Sequence, residues 1–173
     1  MLKKYSKDSP SRRHPMSLSF VFSSGWHLLA TFFACGLLRP ASGTWGTLAG
    51  WLVFYLFCHR ISVFVWLALI LLLFCLGTIA CERTGRDIGV HDHSSIVVDE
   101  VFAVWLVQLT VPYTFFWQAM AFLAFRLFDI IKLQPVRYFD TSPRWQNGLG
   151  VMLDDLAAAV QAILLLSLLR FFC

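Results

Sequence analysis

Residues 61–81, ISVFVWLALILLLFCLGTIAC, run for 21 positions without one charged side chain. A helix rises 1.5 Å per residue, so such a run is about 30 Å long, the thickness of a bilayer's hydrocarbon layer. A chain holding this segment must place it in lipid or bury it entirely. Burial is the harder option here, because the remaining residues are also apolar. Hydrophobic residues make up 58% of the chain and charged residues 14%, against roughly 45–50% and 25% in soluble domains. That balance excludes an ordinary soluble domain and a disordered chain alike. The length of 173 residues allows one domain.

Further apolar runs follow the same logic. Residues 156–169 form a second span that continues from a polar start near Asp154. Residues 113–131 form a third, with Arg126 and Asp129 near its end, and residues 96–111 a fourth, with Asp99 and Glu100 near its start. Residues 46–58 are shorter, and Thr44 and Trp45 extend them. His59-Arg60 and Val111-Pro112 read as tight turns joining consecutive spans, since proline punctuates helices. The expected fold class is therefore all-α: a polytopic membrane bundle of about five helices.

The loops at 39–46, 82–95 and 132–150 then share one side. They carry Arg39, Arg83, Arg86, Lys132, Arg137 and Arg144, and the positive-inside rule places them in the cytoplasm. Residues 1–16 hold Lys3, Lys4, Lys7, Arg12 and Arg13 against Asp8, a net of +4 that equals the charge of the whole chain. This segment reads as a basic cytoplasmic tail facing lipid headgroups rather than nucleic acid, with residues 17–173 as a single membrane-embedded domain. Both ends of residues 17–38 fall on the same side. The segment is therefore expected to be re-entrant or interfacial, with Ser23, Ser24 and His27 on its polar face. The five cysteines show no CxxC spacing and read as small hydrophobes. No small-residue cleavage site follows the first apolar run, so a cleavable signal peptide is not expected.

Of ten acids in the chain, five fall in or at the rim of apolar helices: Asp99, Glu100, Asp129, Asp154 and Asp155. An ionised group at a helix centre costs about 2.5–3.5 kcal/mol to insert. Capping accounts for one such acid near a helix start; five on three helices point to chemistry. At 4 Å, two like charges repel by roughly 4 kcal/mol at an effective dielectric of 20. A hard divalent cation removes that penalty, and an all-carboxylate oxygen set suits Mg²⁺.

Cations stand beside these acids. Arg126 and Asp129 are three residues apart on one helix, and Lys132 continues that face. Either the pair neutralises Asp129, or the two cations grip phosphate oxygens. His91 and His93, in the run His91-Asp92-His93, are candidates for general acid/base work. The turn Ser42-Gly43-Thr44-Trp45-Gly46-Thr47 is a candidate phosphate cradle before a helix start, with Thr44 and Thr47 as neutral donors.

Five runs occur in order: Gly43-Thr44-Trp45-Gly46-Thr47; Asp87 to His93; Ile96 to Glu100; Phe125 to Lys132; and Gly148 to Asp155. Together they resemble the phosphatidylglycerophosphatase A family of bacterial membrane lipid phosphatases, over roughly residues 25–165. The resemblance implies Mg²⁺-dependent hydrolysis of phosphatidylglycerophosphate to phosphatidylglycerol and inorganic phosphate. It also implies an inner-membrane enzyme with its site facing the cytoplasm and a phospholipid partner in the membrane. Four positions depart from the family's usual residues: Ser42 and Leu133 replace prolines, and Ala103 and Ala159 replace glycines.

The expected enzyme is thus a phosphoric monoester hydrolase. Asp99, Glu100, Asp129, Asp154 and Asp155 hold the metal, and Arg126, Lys132, Thr44 and Thr47 hold the phosphate. The nucleophile is a metal-activated water or an aspartate carboxylate. Two rival readings are another membrane phospholipid enzyme and a divalent-cation transporter. A transporter site sits near the bilayer midplane, whereas these acids lie near helix ends.

Overall fold

The computed structural model describes Ser11 and residues 14–172, and for residues 139–141 and 143 the backbone alone. The basic tail expected over residues 1–16 lies outside the described residues, apart from Ser11 and residues 14–16. All regular structure among the described residues is helical. The order is α1 (Leu18–Phe22), α2 (Gly25–Ala30), a 3-10 turn (Cys35–Leu37), α3 (Ser42–Phe57), α4 (Val63–Ile88), α5 (Val98–Thr110), α6 (Phe115–Ile131), α7 (Val136–Thr141), a 3-10 turn (Pro143–Trp145) and α8 (Gly148–Phe172).

Polar residues flanking the apolar runs set the helix ends. The Ser62 hydroxyl accepts from the Val65 N–H at the start of α4, and Thr114 does the same for Trp117 at the start of α6. Gly89 closes α4 at φ +72°, where a side chain would be strained. The loop expected to begin at residue 82 therefore begins at Gly89, because α4 carries its helix two turns past the apolar run.

Contacts between helices fix their directions. Gly46 faces Val97 and Gly50 faces Val101, so α3 and α5 run parallel. Thr47 meets Arg126 while Trp51 donates to the Gln118 carbonyl at 2.7 Å, so α6 runs against α3. Gly77 abuts Met152 and Gly148 abuts Glu82, so α8 runs against α4. The starts of α3, α5 and α8 and the ends of α4 and α6 consequently share one end of the bundle. Every acid singled out above falls at that end.

The bundle buries polar side chains within its apolar core and exposes many large apolar ones. Gln108, Gln118, Asp99 and Asp155 are buried, whereas Phe64, Leu71, Phe115, Phe116, Leu123, Leu164 and Leu168 are each more than half exposed. In water that arrangement would be strongly unfavourable. Two helices, Val63–Ile88 and Gly148–Phe172, are long and apolar enough to cross a membrane. The other three expected spans form helices of 16, 13 and 17 residues.

Two expectations change here. The last helix starts at Gly148 rather than near Asp154, so Asp154 and Asp155 stand well inside it. Asn147 makes this possible: its Oδ1 accepts from the Gly150 N–H at 2.9 Å. Residues 17–38 form two short helices and a turn instead of one amphipathic segment. Ser24 caps α2, and His27 is buried, its Nε2 2.8 Å from Asp87 Oδ2. The histidine thus ties this segment to the end of α4 instead of facing solvent.

Candidate active site

Glycines bring the first part of the site together. A Cβ at Gly46 would lie 2.5 Å from Val97 Cβ, and one at Gly50 would lie 2.9 Å from Val101 Cγ1. With no side chain there, α3 and α5 pack nearly backbone to backbone. Gly46, in the expected cradle, therefore serves helix packing. Ser42 and Gly43 are buried in the first turn of α3. Ser42 donates its hydroxyl to the Ser94 carbonyl. Thr44 is half-buried and points to no residue of the site by any hydrogen bond described. Thr47 is fully buried; it donates to the Gly43 carbonyl at 2.8 Å and accepts from Arg126 Nη1 at 3.2 Å.

Arg126 is the hub. Its Nη1 lies 2.7 Å from Asp129 Oδ2, one turn along α6, and 3.4 Å from Glu100 Oε1 in the first turn of α5. One guanidinium thus joins α3, α5 and α6. Removing one partner from a buried group of this kind typically costs 3–5 kcal/mol, because it strands the other charge. Asp99, next to Glu100, is equally buried.

Lys132 ends α6 in a left-handed conformation, φ 50° and ψ 59°. That backbone costs a non-glycine residue about 1–2 kcal/mol. Its ammonium pairs with Asp154 on α8, so the lysine bridges two helices rather than continuing the Arg126–Asp129 face.

Asp155 is 3% exposed, and its Oδ2 has no hydrogen-bond partner among the described residues. The charges that act on it are those of Asp129, Asp99, Glu100 and Asp154. The five carboxylates expected from sequence are therefore electrostatic neighbours, drawn from α5, α6 and α8. Among the described residues no three His, Cys, Asp or Glu side chains are already gathered around a point where a metal ion would sit. Asp129 and Asp154 are instead turned to Arg126 and Lys132.

The two histidines separate. His93 is fully buried. Its Nδ1 accepts from the Ser95 N–H at 3.1 Å, and its Nε2 faces the carbonyls of Ser11 and His14 at 3.2 and 2.9 Å. Both ring nitrogens are thus engaged with backbone, which suits a loop anchor. His91 has its Nε2 buried with no hydrogen-bond partner among the described residues.

Sequence reasoning passed over Glu82. It sits on α4, accepts from the Gly148 N–H at 2.6 Å and pairs with Arg86 at 2.7 Å. The spacing of Glu82 and Arg86, i and i+4, was the available sign that the helix continues there.

A sequence profile of the family described as Phosphatidylglycerophosphatase A matches residues 28–170. A Phosphatidylglycerophosphatase A of Haemophilus influenzae is 42% identical over 84% of this chain and 89% of its own length. One of Escherichia coli is 37% identical over 80% of this chain and 79% of its own. A Bacteroides thetaiotaomicron protein named as a candidate phosphatidylinositol-3-phosphatase is 34% identical over 83% of this chain and 92% of its own. No solved structure matches the chain.

Proposed function

The chain belongs to the phosphatidylglycerophosphatase A family and is a phosphatase, and from that premise we propose that it converts phosphatidylglycerophosphate to phosphatidylglycerol and inorganic phosphate. The observation that carries this reading is Arg126, a buried guanidinium held by Asp129, Glu100 and Thr47 at the common end of five helices. A fork of N–H donors fixed in this way suits the oxygens of a phosphomonoester. Lys132 adds a second cation from the same helix end.

The donor set fits Mg²⁺. Asp155 presents a buried carboxylate oxygen without a hydrogen-bond partner among the described residues, and Asp129, Asp99, Glu100 and Asp154 all act on it. Asp99, Glu100, Asp129, Asp154 and Asp155 are the residues that would hold the ion. When bound, Mg²⁺ supplies positive charge against the developing charge on the phosphoryl group. Carboxylates engaged with the ion would release Arg126 and Lys132 toward substrate.

The balance of the reaction assigns the remaining roles. A water oxygen bonds to phosphorus, the bond from phosphorus to the glycerol oxygen breaks, and the departing alkoxide needs a proton. A carboxylate of the cluster takes the water's proton. His91 Nε2 is the group suited to return one, since His93 is held by backbone on both sides.

The enzyme is read as embedded in the bacterial inner membrane, with several helices crossing and the carboxylate end toward the cytoplasm. The apolar exterior and the two long helices support this. That end also carries Arg39, Arg86, Arg137 and Arg144. Residues 17–38 lie at the interface.

The test is phosphate release by purified protein from phosphatidylglycerophosphate and phosphatidic acid, with Mg²⁺ and with excess chelator. Release from phosphatidylglycerophosphate that needs Mg²⁺ is expected. Full activity in chelator removes the metal assignment, and no release from phosphatidylglycerophosphate removes the substrate assignment.

A further inference from the structure

Arg39 lies in the link between the 3-10 turn and α3, exposed at the carboxylate end of the bundle. Its Nη1 donates to Ser94 Oγ at 3.3 Å and its Nη2 to Ser95 Oγ at 3.5 Å. Both serines are buried, and both belong to the loop that leads into Asp99 and Glu100. The same loop is tied to α3 through the Ser42 hydroxyl and the Ser94 carbonyl. The guanidinium is therefore anchored at both ends, and by neutral hydroxyls. Among the described residues no carboxylate forms an ion pair with it.

That sets it apart from Arg126, Lys132 and Arg86, while Arg83 and Arg144 lie over the rings of Trp26 and Trp145. Arg126 and Lys132 contact acids, and Arg86 contacts Glu82. Arg39 is exposed, and each Nη has a second N–H beyond the one given to a serine, so the anchored guanidinium still has donors for an anion such as phosphate. Helix α3 links the two arginines through the chain: Ser42 is bound to the Ser94 loop and Thr47 to Arg126. Ser42, bound to the same loop, precedes Thr47 by five residues, or about 7–8 Å along the helix.

Phosphatidylglycerophosphate carries two phosphates joined by a glycerol, an inner phosphodiester and a terminal phosphomonoester, whereas phosphatidic acid carries a phosphomonoester alone. We propose that Arg39 binds the inner phosphodiester while Arg126 and Lys132 take the terminal phosphomonoester, so that Arg39 selects two-phosphate lipids over one-phosphate lipids. The assignment rests on the proposed phosphatase reading of the carboxylate end. A two-point grip of this kind raises affinity for substrate without touching the reacting phosphorus, so its loss appears in KM rather than kcat.

The experiment uses the full chain in mixed micelles, Arg39→Gln and Arg39→Lys, with phosphatidylglycerophosphate as substrate. Phosphatidylglycerol, which carries the diester alone, and inorganic phosphate serve as the two competing inhibitors. For Arg39→Gln, KM and the inhibition constant of phosphatidylglycerol should both rise about tenfold, or roughly 1.4 kcal/mol. The inhibition constant of inorganic phosphate should stay put, and kcat should change less than twofold. Arg39→Lys should recover part of the loss. Unchanged KM, or an equal rise for inorganic phosphate, overturns the diester assignment while leaving the phosphatase reading intact. A wild-type protein that releases no phosphate from phosphatidylglycerophosphate overturns both.

Discussion

Glu82 on α4 takes the Gly148 N–H at 2.6 Å, so the helix that carries Asp154 and Asp155 begins on the side chain of a neighbouring helix. The approach is tight enough that a Cβ at Gly148 would lie 2.2 Å from the Thr78 carbonyl oxygen. The axial position of two site acids is therefore set by a residue that touches neither of them.

Glu82→Ala should lower stability by about 1–2 kcal/mol, the range for losing a cap at a helix start. Glu82→Gln keeps an acceptor oxygen and should recover most of it. Thermal unfolding in detergent reads the effect. An Ala variant as stable as wild type would show that Gly148 is held by backbone packing alone.

Helix contact through glycine gives a second test. Gly50→Ala drives a methyl against Val101 Cγ1, 2.9 Å away. Overpacking of this kind costs about 1–3 kcal/mol. Val101→Ala removes both γ-carbons, so the double variant should be more stable than Gly50→Ala alone. Additive losses in the cycle would mean that the two helices do not meet there.

The helix directions explain what the sequence made legible. Short turns at 58–62 and 111–114 force neighbouring helices to alternate, so the acids of three distant segments had to meet at one end. The residue types Asp99, Glu100, Arg126, Asp129 and Asp155 then marked a candidate site. Their partners were not legible. Nothing in the spacing of Lys132 shows that a left-handed residue turns it toward Asp154 on another helix. Gly46 looked like part of a phosphate loop, because glycine serves close backbone approach to a ligand and to a helix equally well. Within residues 17–38 only His27 departs from the expected polar face: it is polar by type, yet it is buried against Asp87.

The two histidines should respond differently to replacement. His93→Ala removes a ring bound to three backbone groups and should destabilise the loop before α5, lowering the unfolding temperature. His91→Ala should leave that temperature near wild type and slow turnover by about 10²–10⁴, the usual contribution of a proton donor. Its pH–rate profile should lose one limb. If His93→Ala keeps its stability but loses the same limb, the roles are reversed.

Asp155→Asn separates charge from shape at the centre of the cluster. The replacement keeps the size of a side chain that is 3% exposed and removes one negative charge from beside Asp129, Asp99, Glu100 and Asp154. Relief of repulsion between buried like charges should hold or raise the unfolding temperature. Turnover should fall by orders of magnitude, because an amide is a poor ligand for Mg²⁺ and a poor base for water. Arg126→Lys tests the opposing charge. Lysine keeps the cation, but a single ammonium cannot reach Asp129, Glu100 and Thr47 in the geometry of a planar fork. Both stability and kcat should drop together for Arg126→Lys, whereas they should part company for Asp155→Asn. The paired measurement is unfolding temperature against phosphate release for each variant. An Asp155→Asn protein that hydrolyses phosphatidylglycerophosphate at the wild-type rate would leave the carboxylate cluster without a chemical role.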